Sequence, residues 1–427
     1  MNLNDNIIAF VLGGGRGTRI YPLTKERSKP AIPIGSKYRI IDIPISNCMN
    51  SGINKIFVLT QFNSKSLNQH INNAYRFDHF SEKFVDILPA AQTMDNTNWY
   101  QGTADAIRQN IRYIDSFPNC KTVLILSGDQ LYNFDFRLLY DLHSKANADV
   151  TIATIPVPKN HVGEFGILKI KKNKDFFKII DFKEKATCSD IIDKFVMKNN
   201  KHEKPHCLAS MGIYMFKKDV LIDYLNASNK QDFGKELIPQ LIKEKLVVPY
   251  LFTGYWEDVG TIKAFHKANL DLLGRNPKLK IKPEFPIYTN PRFLPPVFCH
   301  NAKIENVILG DGAIVLGGEL KNSVIGVRSY INENVYLENS LVLGADWYES
   351  DTVQADLLAK GQIPLGIGAG SIIKNTIIDK NVRIGKNVKI LNEENLIEYT
   401  APDESYFVKD SIVVIPKGVT IPDNFKI

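Results

Sequence analysis

An α/β domain built on a Rossmann-like, mostly parallel sheet, followed by a left-handed parallel β-helix, is the fold class this 427-residue sequence predicts. Three observations point to it. Strand-like and helix-like runs alternate over residues 1–273, a proline-rich stretch interrupts the chain at 274–300, and a six-residue aliphatic period follows over 301–427.

The first apolar run, Ile7 to Leu12, reads as a strand that enters a glycine-rich turn. It leaves no room ahead of it for a signal or transit peptide, so any organellar presequence would lie outside this chain. Further strands are expected at Ile56–Thr60, Val123–Leu126, Val150–Ile155, Gly166–Ile170 and Ala209–Phe216. Between the early ones, Ser64–Asn73 and Thr103–Ser116 carry a helical period, the second with Ala104, Ile107, Ile111 and Ile114 on one face. Such alternation covers a sheet on both sides and puts ligands at the carboxyl ends of its strands, where the glycine-rich turn lies.

Six prolines between Pro277 and Pro296 make 274–300 a stiff connector. Beyond it, Ile308, Ile314 and Leu320 are six apart, as are Ile325, Ile331, Leu337 and Leu343, and then Ile372, Ile378, Ile384 and Ile390. A hexapeptide period stacks aliphatic side chains in the columns of a triangular coil. Residues Gly344 to Ile367 break it and are expected as a loop thrown out of the coil.

Composition excludes several classes. No run approaches the ~20 apolar residues of a membrane span. Five scattered cysteines without a CxxC pair argue against a disulfide framework or zinc site and suit a reducing cytosol. Net charge is +7, but the lysine-rich stretch 169–204 alternates with acids and lacks a stacking platform, so nucleic acid is not the expected partner. A basic protein handling polyanionic small molecules explains the balance.

The strongest local signal is Gly13-Gly14-Gly15-Arg16-Gly17-Thr18-Arg19, followed by Lys29-Pro30-Ala31. Glycines bring backbone N–H groups close to phosphates, and arginines meet phosphate oxygens in bidentate fashion. The GK[ST] ending of a Walker loop and the spacing of a Rossmann G-x-G-x-x-G are both missing. Asp129 at a strand end and Asp258 after an aromatic run could share one Mg²⁺, or each could be a turn or cap residue.

GGGRGTR…PLT…SKPA is similar to the signature of nucleoside-diphosphate-sugar pyrophosphorylases. Within that group the chain resembles the glucose-1-phosphate adenylyltransferases along nearly its whole length. The matches run from YRIIDIPISNC (Tyr38 to Cys48) through NWYQGTADA, SGDQLY, ASMGIY and YWEDVGT to PRFLPP, GADWYE and IIDKNVRIGKNVKI. The last three favour the plant and cyanobacterial branch. The resemblance implies transfer of AMP from ATP to glucose 1-phosphate with release of pyrophosphate, in glycogen or starch synthesis. It implies Mg²⁺ on Asp129 and Asp258, with Arg19 and Lys29 holding the leaving pyrophosphate and Arg16 assisting. The glycine-rich loop (Gly13, Gly14, Gly15, Gly17, Thr18) with Gln92 and Gly102 would bind ATP. Lys185 would take the sugar phosphate, Glu184 would accept from sugar hydroxyls, and Tyr100, Gly166 and Ser210 would complete that subsite. Read without the resemblance, Glu184-Lys185 is an exposed charge pair, and Ser210 and Tyr100 are ordinary strand and loop residues.

Four subunits, of one type or two, are implied, in the cytoplasm or in the plastid stroma once a presequence is removed. A small phosphorylated effector is implied too. The run Lys380, Arg383, Lys386, Lys389, with Lys409 and Lys417, reads either as solvated coil corners or as an anion site. Related lysines of the plant and cyanobacterial enzymes bind 3-phosphoglycerate, and Lys380 matches best, with Lys417 next. Three positions depart from the family pattern: Ala186 for proline, Gln130 for histidine, and Ala91-Gln92 for a pair of glutamines near the base. An acyltransferase reading of the β-helix needs a histidine base in the coils. The eight histidines, at 70, 79, 143, 161, 202, 206, 266 and 300, all precede the coils as delimited here. A regulatory subunit would have lost the charged residues Arg16, Arg19 and Lys29, which this chain keeps. UDP- or dTDP-glucose synthesis is the nearer alternative.

Overall fold

The computed structural model describes residues 3–78, 80–92, 98–173, 176–197 and 205–427. Of the lysine-rich stretch, 174, 175 and 198–204 lie outside the described residues, as does His79.

Strand β1 (Ile7–Leu12) forms because six consecutive apolar residues, three of them β-branched, suit a strand covered on both faces. Its first five residues are buried, and full burial of a side chain such as Phe10 contributes roughly 1.5–3 kcal/mol. It pairs in parallel with β2 (Lys55–Thr60), which pairs in parallel with β3 (Phe84–Pro89). On its other side it pairs in parallel with β4 (Thr122–Ser127). The rest of the sheet is more mixed. Beyond β4 come β5 (Val150–Pro158), β6 (Gly166–Asn173), β7 (Phe176–Glu184) and β8 (His206–Lys217), with β8 antiparallel to β4, β5 and β6. β9 (Val247–Leu251) runs parallel to β5. The wholly parallel part is therefore the part that carries the glycine-rich turn.

The amphipathic helix α1 (Lys65–Ala74) buries Leu67, His70 and Ile71. The helix expected over Thr103–Ser116 is broken into α2 (Thr103–Arg108) and α3 (Ile111–Asp115). The cause is Asn110, whose side-chain amide donates to Ala106 O at 2.8 Å and to Tyr100 Oη at 2.9 Å, competing with the backbone ladder.

The second domain is a parallel β-helix whose stacked partners lie 16 or 17 residues apart where consecutive coils follow directly, as in Ile314↔Tyr330 and Leu320↔Leu337. They lie 36 or 37 apart where an excursion intervenes, as in Leu337↔Ile373 and Ile384↔Ile421. The columns contain Ile325, Ile331, Leu337, Ile373, Ile378, Ile384 and Ile390, all buried. Asparagine at many corners (Asn306, Asn322, Asn334, Asn375, Asn387) takes positive φ, which its short polar side chain tolerates better than most. The first rung, Phe298–Cys299, lies inside the stretch expected as connector. An apolar residue pair directly after Pro295-Pro296 suffices to start pairing, so His300 sits at a corner of the first coil. The excursion expected over 344–367 is somewhat shorter. Ala345 N still donates to Val327 O of the coil below, the chain then leaves and carries the helix α4 (Asp351–Ala359), and Gly366–Ile367 is back in the stack. A second excursion was not foreseen. Between Ile390 and Ile412 the chain forms the antiparallel pair Tyr399–Thr400 and Phe407–Lys409.

Packing joins the two domains. Val324, Leu341, Leu343, Ile377, Phe407 and Val414 of the β-helix belong to the same apolar cluster as Ile7, Leu23 and Ile45. All five cysteines are free thiols, and among the described residues no helix is long and apolar enough to cross a membrane.

Candidate active site

The register Leu12↔Ser127 sets the ends of β1 and β4 side by side, so the turns after them share one edge of the sheet. Gly13 N donates to Leu59 O at 2.8 Å and Gly128 N to Leu12 O at 3.0 Å, fixing where each turn departs. Gly17 has φ +62°, and a Cβ there would meet Thr24 Cγ2 at 2.9 Å. Both facts demand glycine. Thr24 Oγ1 donates to Gly17 O at 3.0 Å and ties the loop to the segment after it.

A short antiparallel pair, Gln130–Tyr132 with Trp256–Asp258, matches Gln130 to Asp258. This pairing brings the two aspartates together from 129 residues apart in sequence. Gln130 is buried and accepts from Trp256 Nε1 at 3.1 Å, so the residue that departs from the family pattern braces the pair. Lys29 is buried, and its Nζ donates to Asp129 Oδ2 at 2.8 Å and Asp258 Oδ1 at 3.1 Å. Ser127 Oγ donates to the other oxygen of Asp129. Burial disfavours the charge of Lys29, but Asp129 and Asp258 outweigh it and hold its pKa above the ordinary value. Burial likewise works against Asp129, yet Lys29 keeps that carboxyl below the usual range. Asp258 is raised instead, by burial and by the neighbouring Asp129.

Of these groups Lys29, Ser127 and Asp129 line a cavity of about 480 Å³, together with Gly14, Gly15, Arg16, Gly17, Thr18, Arg19, Tyr100 and Gly102. Asp258 stands behind the lining and reaches it through Lys29. Arg19 lies half exposed, 3.6 Å from Glu164. Tyr100 presents its ring while its hydroxyl donates to Leu88 O at 3.3 Å. Gly13 stands behind the lining. Gln92 is exposed and does not line the cavity.

The other sugar-site candidates form a neighbouring group. A Cβ on Gly166 would lie 2.4 Å from the Phe182 ring and 2.6 Å from Glu184 Oε2, so glycine lets Glu184 fold over the strand. Burial, with Asp232 nearby, raises the Glu184 pKa. Ser210 sits where the β8 register shifts and shares a 3.4 Å hydrogen bond with Tyr214 Oη. Lys185 adopts φ +47° next to this group, its side chain exposed and outside the cavity lining. Asp232 connects the two groups: it lines the cavity, accepts from Thr103 Oγ1 at 3.2 Å and lies near Glu184. Sequence reasoning missed it, and the role of Gly234 two residues on, which leaves space for Glu184, is likewise a tertiary one.

A second polar cavity, of about 630 Å³, lies between the domains. Lys380 and Lys417 line it with Arg27, Arg39, Arg292 and Arg328. Lys380 is buried and bonded to Asp346, and Lys417 lies 3.3 Å from Glu26. Burial, with Arg39 alongside, pushes Lys380 down to about 8. Arg383 pairs with Glu349 and Lys409 with Glu398, while Lys386 and Lys389 do not line this cavity.

Residues 8–275 match the model of the nucleotidyl transferase family, and residues 292–425 match that of the GLGC left-handed parallel beta-helix domain. The two in this order are the glucose-1-phosphate adenylyltransferase architecture.

Proposed function

This chain belongs to the nucleotidyl transferase family, and on that premise we propose that it transfers AMP from ATP to α-D-glucose 1-phosphate, giving ADP-glucose and diphosphate. That it is a sugar-phosphate nucleotidyltransferase follows from the paired domains. The choice of adenine and glucose rests on the motifs from Tyr38 to Thr261. The observation that carries the reading is Lys29 held between Asp129 and Asp258 at the lip of a cavity walled by the glycine-rich loop.

The donor set suits magnesium. Two carboxylates converge on one cationic position, and Mg²⁺ takes one or two carboxylates while leaving its other positions to water and phosphate oxygens. Among the described residues no cluster of three or more acidic, histidine or cysteine side chains offers a fuller cage. Held by Asp129 and Asp258, the ion supplies neutralisation of phosphate charge. The chain's own groups do the rest. Backbone N–H groups of Gly14 to Gly17 cradle the triphosphate, and Arg16, Arg19 and Lys29 hold the pyrophosphate as it leaves. Lys185 takes the sugar phosphate and Glu184 the sugar hydroxyls, with Tyr100, Gly166 and Ser210 shaping that subsite. A sugar-phosphate oxygen attacks the α-phosphorus, the bond to the pyrophosphate breaks, and no protein nucleophile is needed.

A small phosphorylated effector is the natural ligand of the interdomain cavity, because seven lysine and arginine side chains, Lys65 among them, line it with only Glu26 and Asp346 as lining acids to oppose them. Free thiols suit a reducing compartment, cytosol or plastid stroma. Four subunits, of one type or two, remain part of this reading. The test is pyrophosphate release with glucose 1-phosphate and each nucleoside triphosphate in turn. ATP is expected to lead, and a lead by UTP or dTTP would move the assignment to a sister activity.

A further inference from the structure

The segment between the glycine-rich loop and Lys29 is gripped by the β-helix. Tyr21, two residues after Arg19, meets Phe407 edge to face, ring centroids 5.5 Å apart. Phe407 is buried and shares the apolar cluster of the catalytic domain. Four residues on, Lys25 Nζ donates to Glu404 Oε2 at 2.6 Å. The grip continues with Glu26 against Lys417 at 3.3 Å and with the buried pair Arg27 and Asp379. Phe407 and Glu404 both belong to the excursion that interrupts the six-residue period. Its strand Phe407–Lys409 is stitched antiparallel to Ile412–Ile415, so it has a rigid base.

The loop's own bonds are local. Gly13 N is fixed to Leu59 O, Ile20 N and Tyr21 N close a short turn onto Gly17 O and Thr18 O, and Thr24 Oγ1 donates to Gly17 O. Tyr21 and Lys25, the two residues held by the excursion, bracket Thr24. Arg16, Thr18 and Arg19 form a wall shared between the candidate active-site cavity and a second cavity of about 810 Å³. Lys409 and Glu398 of the excursion line the far side of that second cavity.

We infer that the 391–411 excursion is a brace that positions Arg16 and Arg19 for the pyrophosphate end of the substrate, with Phe407 and Glu404 as its positioning residues. This rests on the reading of the loop as a pyrophosphate cradle. Preorganised donors bind an anion without reorganising, and a loop released from its brace loses that advantage. The sugar phosphate is proposed to meet Lys185, in the turn just after β7 and outside the brace contacts of Tyr21 and Lys25, so its binding should be indifferent.

The test is calorimetric titration of the full chain with pyrophosphate and, separately, with glucose 1-phosphate, each with Mg²⁺. Phe407→Ala should weaken pyrophosphate binding ~10-fold and leave glucose 1-phosphate within ~2-fold. Glu404→Lys, at an exposed position that folding tolerates, should weaken pyrophosphate ~3-fold, and adding Lys25→Glu should restore it. The sign is diagnostic: an added positive charge near an anion site strengthens binding by its field alone. Unchanged or tighter pyrophosphate binding in Glu404→Lys overturns the brace, as does equal weakening of both ligands. If Phe407→Ala does not fold, the charge swap decides alone. A parent chain that binds neither ligand is a different failure, removing the cradle reading and the brace with it.

Discussion

Asp129 has a task that charge, not size, defines: it holds Lys29 through one oxygen and accepts from Ser127 through the other. Asp129→Asn keeps the shape and removes the charge, so turnover is expected to fall ~100-fold or more, the range for losing one charge-stabilising group. Steady-state rates under saturating substrates check this, and turnover within ~3-fold of the parent would remove the assignment. Lys185 sits apart, with its exposed side chain outside the cavity lining. Lys185→Ala is expected to raise the Michaelis constant for glucose 1-phosphate well above any change for ATP, because the lost contact serves one substrate only. Equal effects on both would assign Lys185 to folding or to another subsite. At this scale the sequence was most legible where chemistry compresses into a short run, as in Gly13 to Arg19. Asp232 was illegible because its role depends on Thr103 and Glu184, which the fold supplies from remote segments.

Among the elements, the packing of helix Phe136–Lys145 on β5 carries a pH signature. His143 is buried, and its Nδ1 lies 2.8 Å from Thr151 Oγ1. Burial, reinforced by Lys217, pushes its pKa down from 6.5 to about 4. As pH falls below 6.5 the unfolded chain takes up this proton first, so the contribution is complete above 6.5, declines toward pH 4 and is absent below. The loss is about 3 kcal/mol. The melting midpoint of the parent is expected to fall more steeply than that of His143→Gln as the pH drops through this window, whereas parallel curves would contradict the effect. Elements also mark how far periodicity reads. The aliphatic columns announce themselves because each coil must fill the same triangular interior, while the pair Tyr399–Thr400 and Phe407–Lys409 adds only Val408 to that interior and shows no six-residue signal. The helix break at Asn110 was hidden because its partner, Tyr100 Oη, is a tertiary one.

For the whole molecule, one apolar cluster and one basic cavity both span the domain boundary, which ties the β-helix to the nucleotidyl transferase domain. The sequence marked Lys380 and Lys417 but not Arg27, Arg39, Arg292 and Arg328, each of which looks like ordinary surface charge until the domains meet. Activity against 3-phosphoglycerate, with and without orthophosphate, is expected to respond in the parent with a coupling of ~1–3 kcal/mol, a ~5- to 150-fold change in apparent affinity. Lys380→Ala should flatten that response, since it removes a cation facing the cavity and leaves Asp346 only Asn381 and the more distant Lys417. An unchanged response would move the effector elsewhere. The claim on which all of this depends is transfer of the adenylyl group with no covalent stop on the protein. It is tested most directly by following label from α-³²P and γ-³²P ATP incubated with glucose 1-phosphate and Mg²⁺. The expected result is α-label in the sugar nucleotide, γ-label in diphosphate and none on the chain. Label retained on the protein, or γ-label on the sugar, would contradict it.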